Sequence, residues 1–418
     1  MSGSFKLRDI HPTTRRLLAA RFTRSVGQGV LIVDLALYLH ALGWSGAAIG
    51  ATLSGAGFFA AFGSIAIGII SDRFRRKPFL LYNEALTVVC GLLLVFTLQP
   101  WVLIIAIVLG GFGRGQTGSA GPFSPAEQSW LAEAVAAERR GRIYSLNAAL
   151  GFFGMALGAG LAMLPFVWRD ALGEAGAYRP LFGIVVIGAV VNLWLLGGAR
   201  ESLRAAKKRQ RRELTRRQRG SAEQKRENRM LIRLAQMNAA NGLAIGLTSP
   251  LISYWFALKF GIGPEAIAPV MALAFASAAI ASMMTGRLTD WLGVARSVVV
   301  TRGVGVVMLG VLPLSPFFLL AALIYLLRVA SSGGSLGARW AQVVSLVSDE
   351  RRGLATSANA ASFQVPQAIG PAIAGTLIGA GWFAIPFYAG AFLQGVYVAA
   401  YGRVFGRWER EEAQRSVT

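Results

Sequence analysis

Apolar residues fill this chain in twelve long stretches, at 17–41, 46–71, 78–98, 101–124, 142–166, 180–198, 231–258, 264–287, 297–313, 316–338, 354–380 and 382–404. Polar residues are concentrated in the intervals. A hydrocarbon core about 30 Å thick takes roughly 20 apolar residues per helix. The pattern therefore predicts an all-α integral membrane fold with 12 transmembrane helices.

The polar intervals alternate in charge. Those after stretches 1, 3, 5, 7, 9 and 11 carry three basic residues (Arg169, Arg179, Lys259) and three acidic ones (Asp170, Glu174, Glu265). The other set is basic. Lys6, Arg8, Arg15, Arg16, Arg21 and Arg24 precede or open the first stretch, Arg73, Arg75, Arg76 and Lys77 follow the second, and Arg351 and Arg352 follow the tenth. Lys and Arg stay on the cytoplasmic side, which puts both termini in the cytoplasm of a multi-pass protein of the cell (inner) membrane. No small-residue cleavage site follows the basic arm, so the first stretch is expected to remain a helix.

Composition narrows the function classes. With 54% hydrophobic and 15% charged residues, the chain is too poor in charge for a soluble domain of its length. A net charge of +22 would suggest nucleic-acid binding in a soluble protein. Here the charge lies in membrane-flanking loops, so the expected partner is anionic lipid and no nucleic acid. The densest run, Arg200 to Arg233, holds 14 basic and 4 acidic residues and reads as a strap along the inner membrane surface. The 50 glycines fit close helix packing. One cysteine, Cys90, excludes an intrachain disulfide, and two histidines support no metal cluster. No phosphate-binding Walker loop occurs. No cofactor is expected.

The chain also repeats itself. Gly68-Ile-Ile-Ser-Asp72-Arg73-Phe-Arg-Arg76-Lys77 returns as Gly286-Arg-Leu-Thr-Asp290-Trp-Leu-Gly293-Val-Ala-Arg296, and Glu138-Arg-Arg-Gly141 returns as Glu350-Arg-Arg-Gly353. Arg114 is echoed by Arg328. This predicts two pseudo-symmetric six-helix bundles, 1–199 and 231–418, joined by a basic cytoplasmic linker at 200–230. Transporters built from such repeats hold substrate between the halves near the midplane.

The Gly68–Lys77 run resembles the signature loop of the major facilitator superfamily, with Arg75 where that family usually has Gly. Arg114-Gly-Gln-Thr-Gly118 is similar to its fourth-helix motif, and Gly118 to Gln128 is similar to its drug-exporter-like branch. The glycine-rich Gly151–Gly160 lacks the proline of the antiporter motif. The resemblance implies that helices 1, 4, 7 and 10 line a cavity. It also implies a cytoplasmic gate: Asp72, with Arg73 and Arg76, would meet the start of helix 11 near Arg352, and Asp290, with Arg296, would meet the start of helix 5 near Arg142.

Charge inside a bilayer is kept only with a partner or a task. Asp34 lies about 16 Å into a helix entered near Thr23, with Tyr38 one turn away on the same face. It is either a proton-coupling carboxylate or one member of a permanent pair. Arg114 and Arg328 either bind an anionic substrate group, hold Asp34 ionised, or pair with backbone carbonyls. Tyr38 of helix 1 and Asn238, Asn241, Tyr254 and Trp255 of helix 7 are further substrate-binding candidates, and Pro250 should kink helix 7. Glu84 reads as a structural pair and Glu127 as a helix-end salt bridge or gate. The function expected is a monomeric secondary active transporter moving a small molecule by alternating access. Coupling to protons is expected, and export is favoured over uptake. The alternative is a lipid or amphiphile flippase on the same fold. No nucleophile–base or metal constellation supports an enzyme.

Overall fold

Helix α1 (Pro12–Ala41) begins five residues before its apolar stretch. Pro12 stands where a missing N–H costs nothing, and the His11 ring accepts from the Thr13 N–H at 3.3 Å. Arg15, Arg16, Arg21 and Arg24 are therefore helical rather than part of an arm. The computed structural model describes residues 11–71, 76–113, 124–135, 140–201, 221–333 and 352–415. After α1 come α2 (Gly46–Ser71), α3 (Arg76–Phe96), α4 (Pro100–Gly110), α5 (Ser124–Glu133), α6 (Arg140–Leu161), α7 (Pro165–Leu172) and α8 (Arg179–Gly197). The second half has α9 (Ser221–Thr248), α10 (Ile252–Phe260), α11 (Pro264–Leu292), α12 (Val294–Val311), α13 (Phe318–Gly333), α14 (Arg352–Gly379) and α15 (Ile385–Arg415).

By length and composition, seven of the described helices can cross a membrane, or eight if α9 and α10 form one bent span. The bend between them is 41°. It falls at Pro250, which has no N–H to continue the ladder. Pro366 and Pro371, by contrast, sit inside an unbroken α14. The last ten residues of the expected linker, 221–230, already belong to α9. The start of α3 is capped from that linker: the backbone N–H of Arg76 donates to both Glu201 carboxylate oxygens at 3.1 Å. A carboxylate there satisfies an orphan N–H and opposes the positive helix end.

Packing repeats as the sequence does. In the first half α1 packs on α6 and α8, and α3 on α8; in the second half α9 packs on α14 and α15, and α12 on α15. The halves meet along α2–α14, α6–α11 and α1–α10. Small residues allow the tightest of these seams. A side chain at Gly50 would run into the Pro371 carbonyl, and one at Gly46 would lie 3.0 Å from the Gly379 Cα. Farther along the same seam, Gly57 lies against Ala368. Ser54 accepts the Ala372 N–H at 2.8 Å between the same helices. These contacts gather toward the end of the bundle that is poor in Lys and Arg.

Candidate functional site

Asp34 is fully buried, and among the described residues neither of its oxygens has a hydrogen-bond partner. Its position follows from the face of α1 that it occupies. Residues 23, 27, 34 and 38 share one stripe of a helix, and that stripe packs on α8 and the turn before it. The Thr23 hydroxyl bonds Asn192, and a Cβ at Gly27 would lie 3.4 Å from Val185. The Tyr38 ring meets Phe182 edge-on at 5.1 Å and Tyr178 at 6.2 Å. Asp34 thus sits on the seam between α1 and α8, within the first half. Counted from Ala41 at the end of α1, it is about 10 Å down the helix. The hydroxyl of Tyr38 is also buried without a partner among the described residues.

The opposite face of α1 touches the second half. The hydroxyl of Ser253 donates to the Ile32 carbonyl at 3.0 Å, and the His40 ring meets Tyr254 edge-on at 5.3 Å. Tyr254 therefore belongs to the closure between halves. Trp255 belongs to the core of its own half: its indole N–H donates to the Phe383 carbonyl at 2.9 Å, and its ring contacts Phe256, Phe260 and Phe387. Both are buried in this arrangement.

A polar row runs down α9. Asn238, Asn241 and Thr248 lie on one stripe, and all are buried. Asn238 donates to the Ser362 hydroxyl at 3.4 Å. Neither amide atom of Asn241 has a partner among the described residues. At the end of the row Arg328 of α13 donates to the Thr248 hydroxyl at 3.4 Å, while its Nε has no partner. Among the described residues Arg328 forms no ion pair, with Asp34 or with any other carboxylate. A buried guanidinium that has one long bond among the described residues is costly to keep.

A second buried group, at the other end of the first half, was only partly visible in the sequence. Arg24 donates through Nε and Nη2 to Oε1 of Glu84, at 2.8 and 2.6 Å, and through Nη1 to both oxygens of Glu127, at 3.1 and 3.0 Å. Asn192 donates to the second oxygen of Glu84 at 3.3 Å. This joins α1, α3, α5 and α8 in one network. By sequence position alone Arg24 belongs with the topological charges of the N-terminal arm. The available signal is its distance inside an uninterrupted helix, together with Glu84 in another apolar stretch and Glu127 three residues past the end of a third.

The remaining candidates divide by position. Arg114, Asp72 and Arg73 lie outside the described residues. Arg142, Asp290 and Arg352 fall in α6, α11 and α14, with their side chains outside what the structure describes. Arg76 is buried at the start of α3, and Arg296 is exposed at the start of α12.

Comparison with known proteins agrees with this frame. The sequence profile of the Major Facilitator Superfamily matches residues 17–235 and 234–416. Inositol transporter 4 of Arabidopsis thaliana is 30% identical over 113 residues, which are 26% of this chain and 18% of that protein. Multidrug resistance protein MdtH of Proteus mirabilis (strain HI4320) is 27% identical over 190 residues, 44% of this chain and 40% of that protein. The match thus spans less than half the length of either relative, and the two point to different branches. Among solved structures, the D-xylose-proton symporter superimposes with a TM-score of 0.71 at 16% identity, covering 93% of this chain and 96% of its own. The nucleoside transporter NupG gives 0.63 at 14% identity, covering 94% and 99%. At these identities the likeness is one of fold. With the profile matched across both of its halves, the chain belongs to the Major Facilitator Superfamily, a family of transporters and not of enzymes.

Proposed function

We propose that this protein is a proton-coupled secondary transporter of a small molecule, working by alternating access in the cell membrane with its basic end in the cytoplasm. The observation that carries the reading is Asp34: a fully buried carboxylate without a partner among the described residues, on a helix that also touches the other half. Such a group costs several kcal/mol, about 3 on insertion scales, and is retained when it takes up and releases a proton as access changes.

The substrate side of this reading is the second half. Arg328 and Asn241 present buried polar atoms without a partner among the described residues, and Asn238 lies on the same stripe of α9. Arg114 would complete the site from helix 4. A fixed guanidinium favours substrates with an anionic or strongly accepting group. The tight α2–α14 seam and the Ser253–Ile32 bond would then form the outer gate, closed in this arrangement. The inner gate would be Asp72 with Arg73 and Arg76, and Asp290 with Arg296, facing Arg352 and Arg142.

Purified protein in proteoliposomes containing a pH-sensitive dye tests the reading. A panel of small organic anions, nucleosides, sugars and cationic drugs is added on one side. At least one should drive proton movement in the wild type and none in Asp34→Asn, and the sign of that movement gives the direction of coupling. Substrate flux without proton movement in the wild type would remove Asp34 from the coupling role. Movement of labelled phospholipid between leaflets, with no response to the panel, would favour the flippase instead.

A further inference from the structure

Along the α1–α8 seam, Asp34 is followed by a small cavity of mixed polar and apolar lining, which Arg24 and Glu84 of the buried network also line. The cavity is lined by Gln28 of α1, Asn83, Glu84 and Thr87 of α3, and Asn192 of α8, with Leu31 and Val185 toward Asp34. Its volume is about 40 Å³. A polar cavity needs only about 10–15 Å³ to hold a water, so a short file of waters fits. Leu31 and Val185, both buried, lie on the stretch of α1 and α8 between this space and Asp34.

We propose that Glu84 is a second proton-binding site, fed from Asp34 through water in this cavity, so that the coupling proton crosses the first half apart from the substrate. This rests on the reading of Asp34 as the proton site. The geometry favours Glu84 as the receiver. Its Oε1 is fixed by Arg24, while its Oε2 faces α8 and, among the described residues, accepts one long bond, from Asn192 at 3.3 Å. Among the described residues the charged groups bonded in this network are Arg24 of α1 and Glu127 of α5, and α8 contributes Asn192. One turn away on α1, Arg21 lies over Gly151 of α6.

The steps balance as O–H exchange alone. The Asp34 carboxyl gives its proton to a water, each water passes one on, and the last gives a proton to Oε2 of Glu84 as the bond from Asn192 breaks. Neutral Glu84 attracts Arg24 less, and Arg24 transfers its hydrogen bonding to Glu127. Loss of the proton at the basic end restores the Glu84 carboxylate and its hold on Arg24. Leu31 and Val185 act as a dry plug that keeps the route from conducting when no substrate is bound.

Proton conductance of substrate-free proteoliposomes, driven by a potassium-diffusion potential, tests the route without any substrate. Leu31→Asn should wet the plug and raise conductance at least tenfold over wild type. Adding Glu84→Gln should return it to the wild-type level, and Glu84→Asp should not. A leak undiminished by Glu84→Gln, or no leak in Leu31→Asn, would overturn the relay. A leak lost in Glu84→Gln but unchanged in Asp34→Asn would keep Glu84 as a proton site and sink the Asp34 reading instead. Infrared difference spectra of the wild-type protein across a pH step provide a second readout that tolerates a poorly folding variant. Two buried carboxylic-acid bands are expected, one removed by Asp34→Asn and the other by Glu84→Gln; a single band, lost in Asp34→Asn, would overturn the second site alone.

Discussion

The hydroxyl of Ser253 donates to the carbonyl oxygen of Ile32 at 3.0 Å, and this bond joins the two halves two residues from Asp34. Any rotation of α1 that turns Asp34 toward water also moves Ile32. If Asp34 is the proton site, the bond would couple the state of the carboxylate to the closure between halves. A buried hydrogen bond of this kind contributes about 1 kcal/mol net, enough to shift a balanced equilibrium roughly fivefold. Ser253→Ala should raise the population in which this end is open by about that factor. Spin labels at positions 42 and 261 report it as growth of the long-distance peak. An unchanged distribution would mean that the bond follows closure without setting it.

The Arg24 network makes a different kind of prediction. Both partners are buried, with Arg24 at 9% and Glu84 at 1% side-chain exposure, so removal of the cation strands two carboxylates. Loss of one partner from a buried pair costs about 3–5 kcal/mol. Arg24→Met should lower the thermal midpoint in detergent far more than Glu84→Gln, which keeps a hydrogen-bond acceptor and leaves Arg24 its bidentate partner Glu127. The triple change Arg24→Met, Glu84→Leu and Glu127→Leu should recover much of the loss. Equal damage from Arg24→Met and Glu84→Gln would show that the charge balance is not what the network provides.

The alternation of apolar stretches and basic intervals made the helical membrane fold legible, because each span must satisfy its own backbone in lipid. Pro250 could also be read as a break, since its missing N–H acts locally. What could not be read was which face of each helix met which neighbour. Depth and the shared face with Tyr38 locate Asp34 along its helix, but neither says which neighbour that face meets. The stripe through Thr23, Gly27 and Tyr38 became legible as the α8-facing side only once Asn192, Val185 and Phe182 were seen against it. Arg24 was hidden for a related reason. A basic residue near the start of a span looks topological until two acids from other helices are brought to it. Trp255 and Tyr254 were ambiguous between substrate and interface because aromatic residues serve both.

Arg328 offers a test that separates binding from structure. A guanidinium fixed for stability would be expected to have several short bonds, and its loss would destabilise the fold. Arg328 is 5% exposed and, among the described residues, has one bond of 3.4 Å, to Thr248. Arg328→Met should therefore leave the thermal midpoint unchanged or raise it, while reducing transport of the proton-driving compound at least a hundredfold. Arg328→Lys should keep part of the activity if charge suffices, and little if a forked donor is required. A clear drop in stability for Arg328→Met would instead assign the residue to structural pairing.

The α2–α14 seam permits the sharpest steric test, because two glycines differ only in what surrounds them. A Cβ at Gly50 would meet the Pro371 carbonyl and lie 3.1 Å from the Gly375 Cα, both backbone groups that cannot rotate away. A Cβ at Gly183 in α8 would meet nothing within 4 Å. Gly183→Ala should thus be neutral or stabilising by about 0.5–1 kcal/mol, the usual helix gain over glycine. Gly50→Ala should wedge the halves apart at the end poor in Lys and Arg. The opening can be read at Ser54, whose hydroxyl oxygen accepts the Ala372 N–H at 2.8 Å across the seam. With Cys90 replaced, a cysteine at position 54 should react slowly with an impermeant maleimide in the Gly183→Ala background and at least tenfold faster with Gly50→Ala. Equal rates in the two backgrounds would mean that the seam has enough slack to accept a methyl group, and that its glycines serve helix approach without setting the gate.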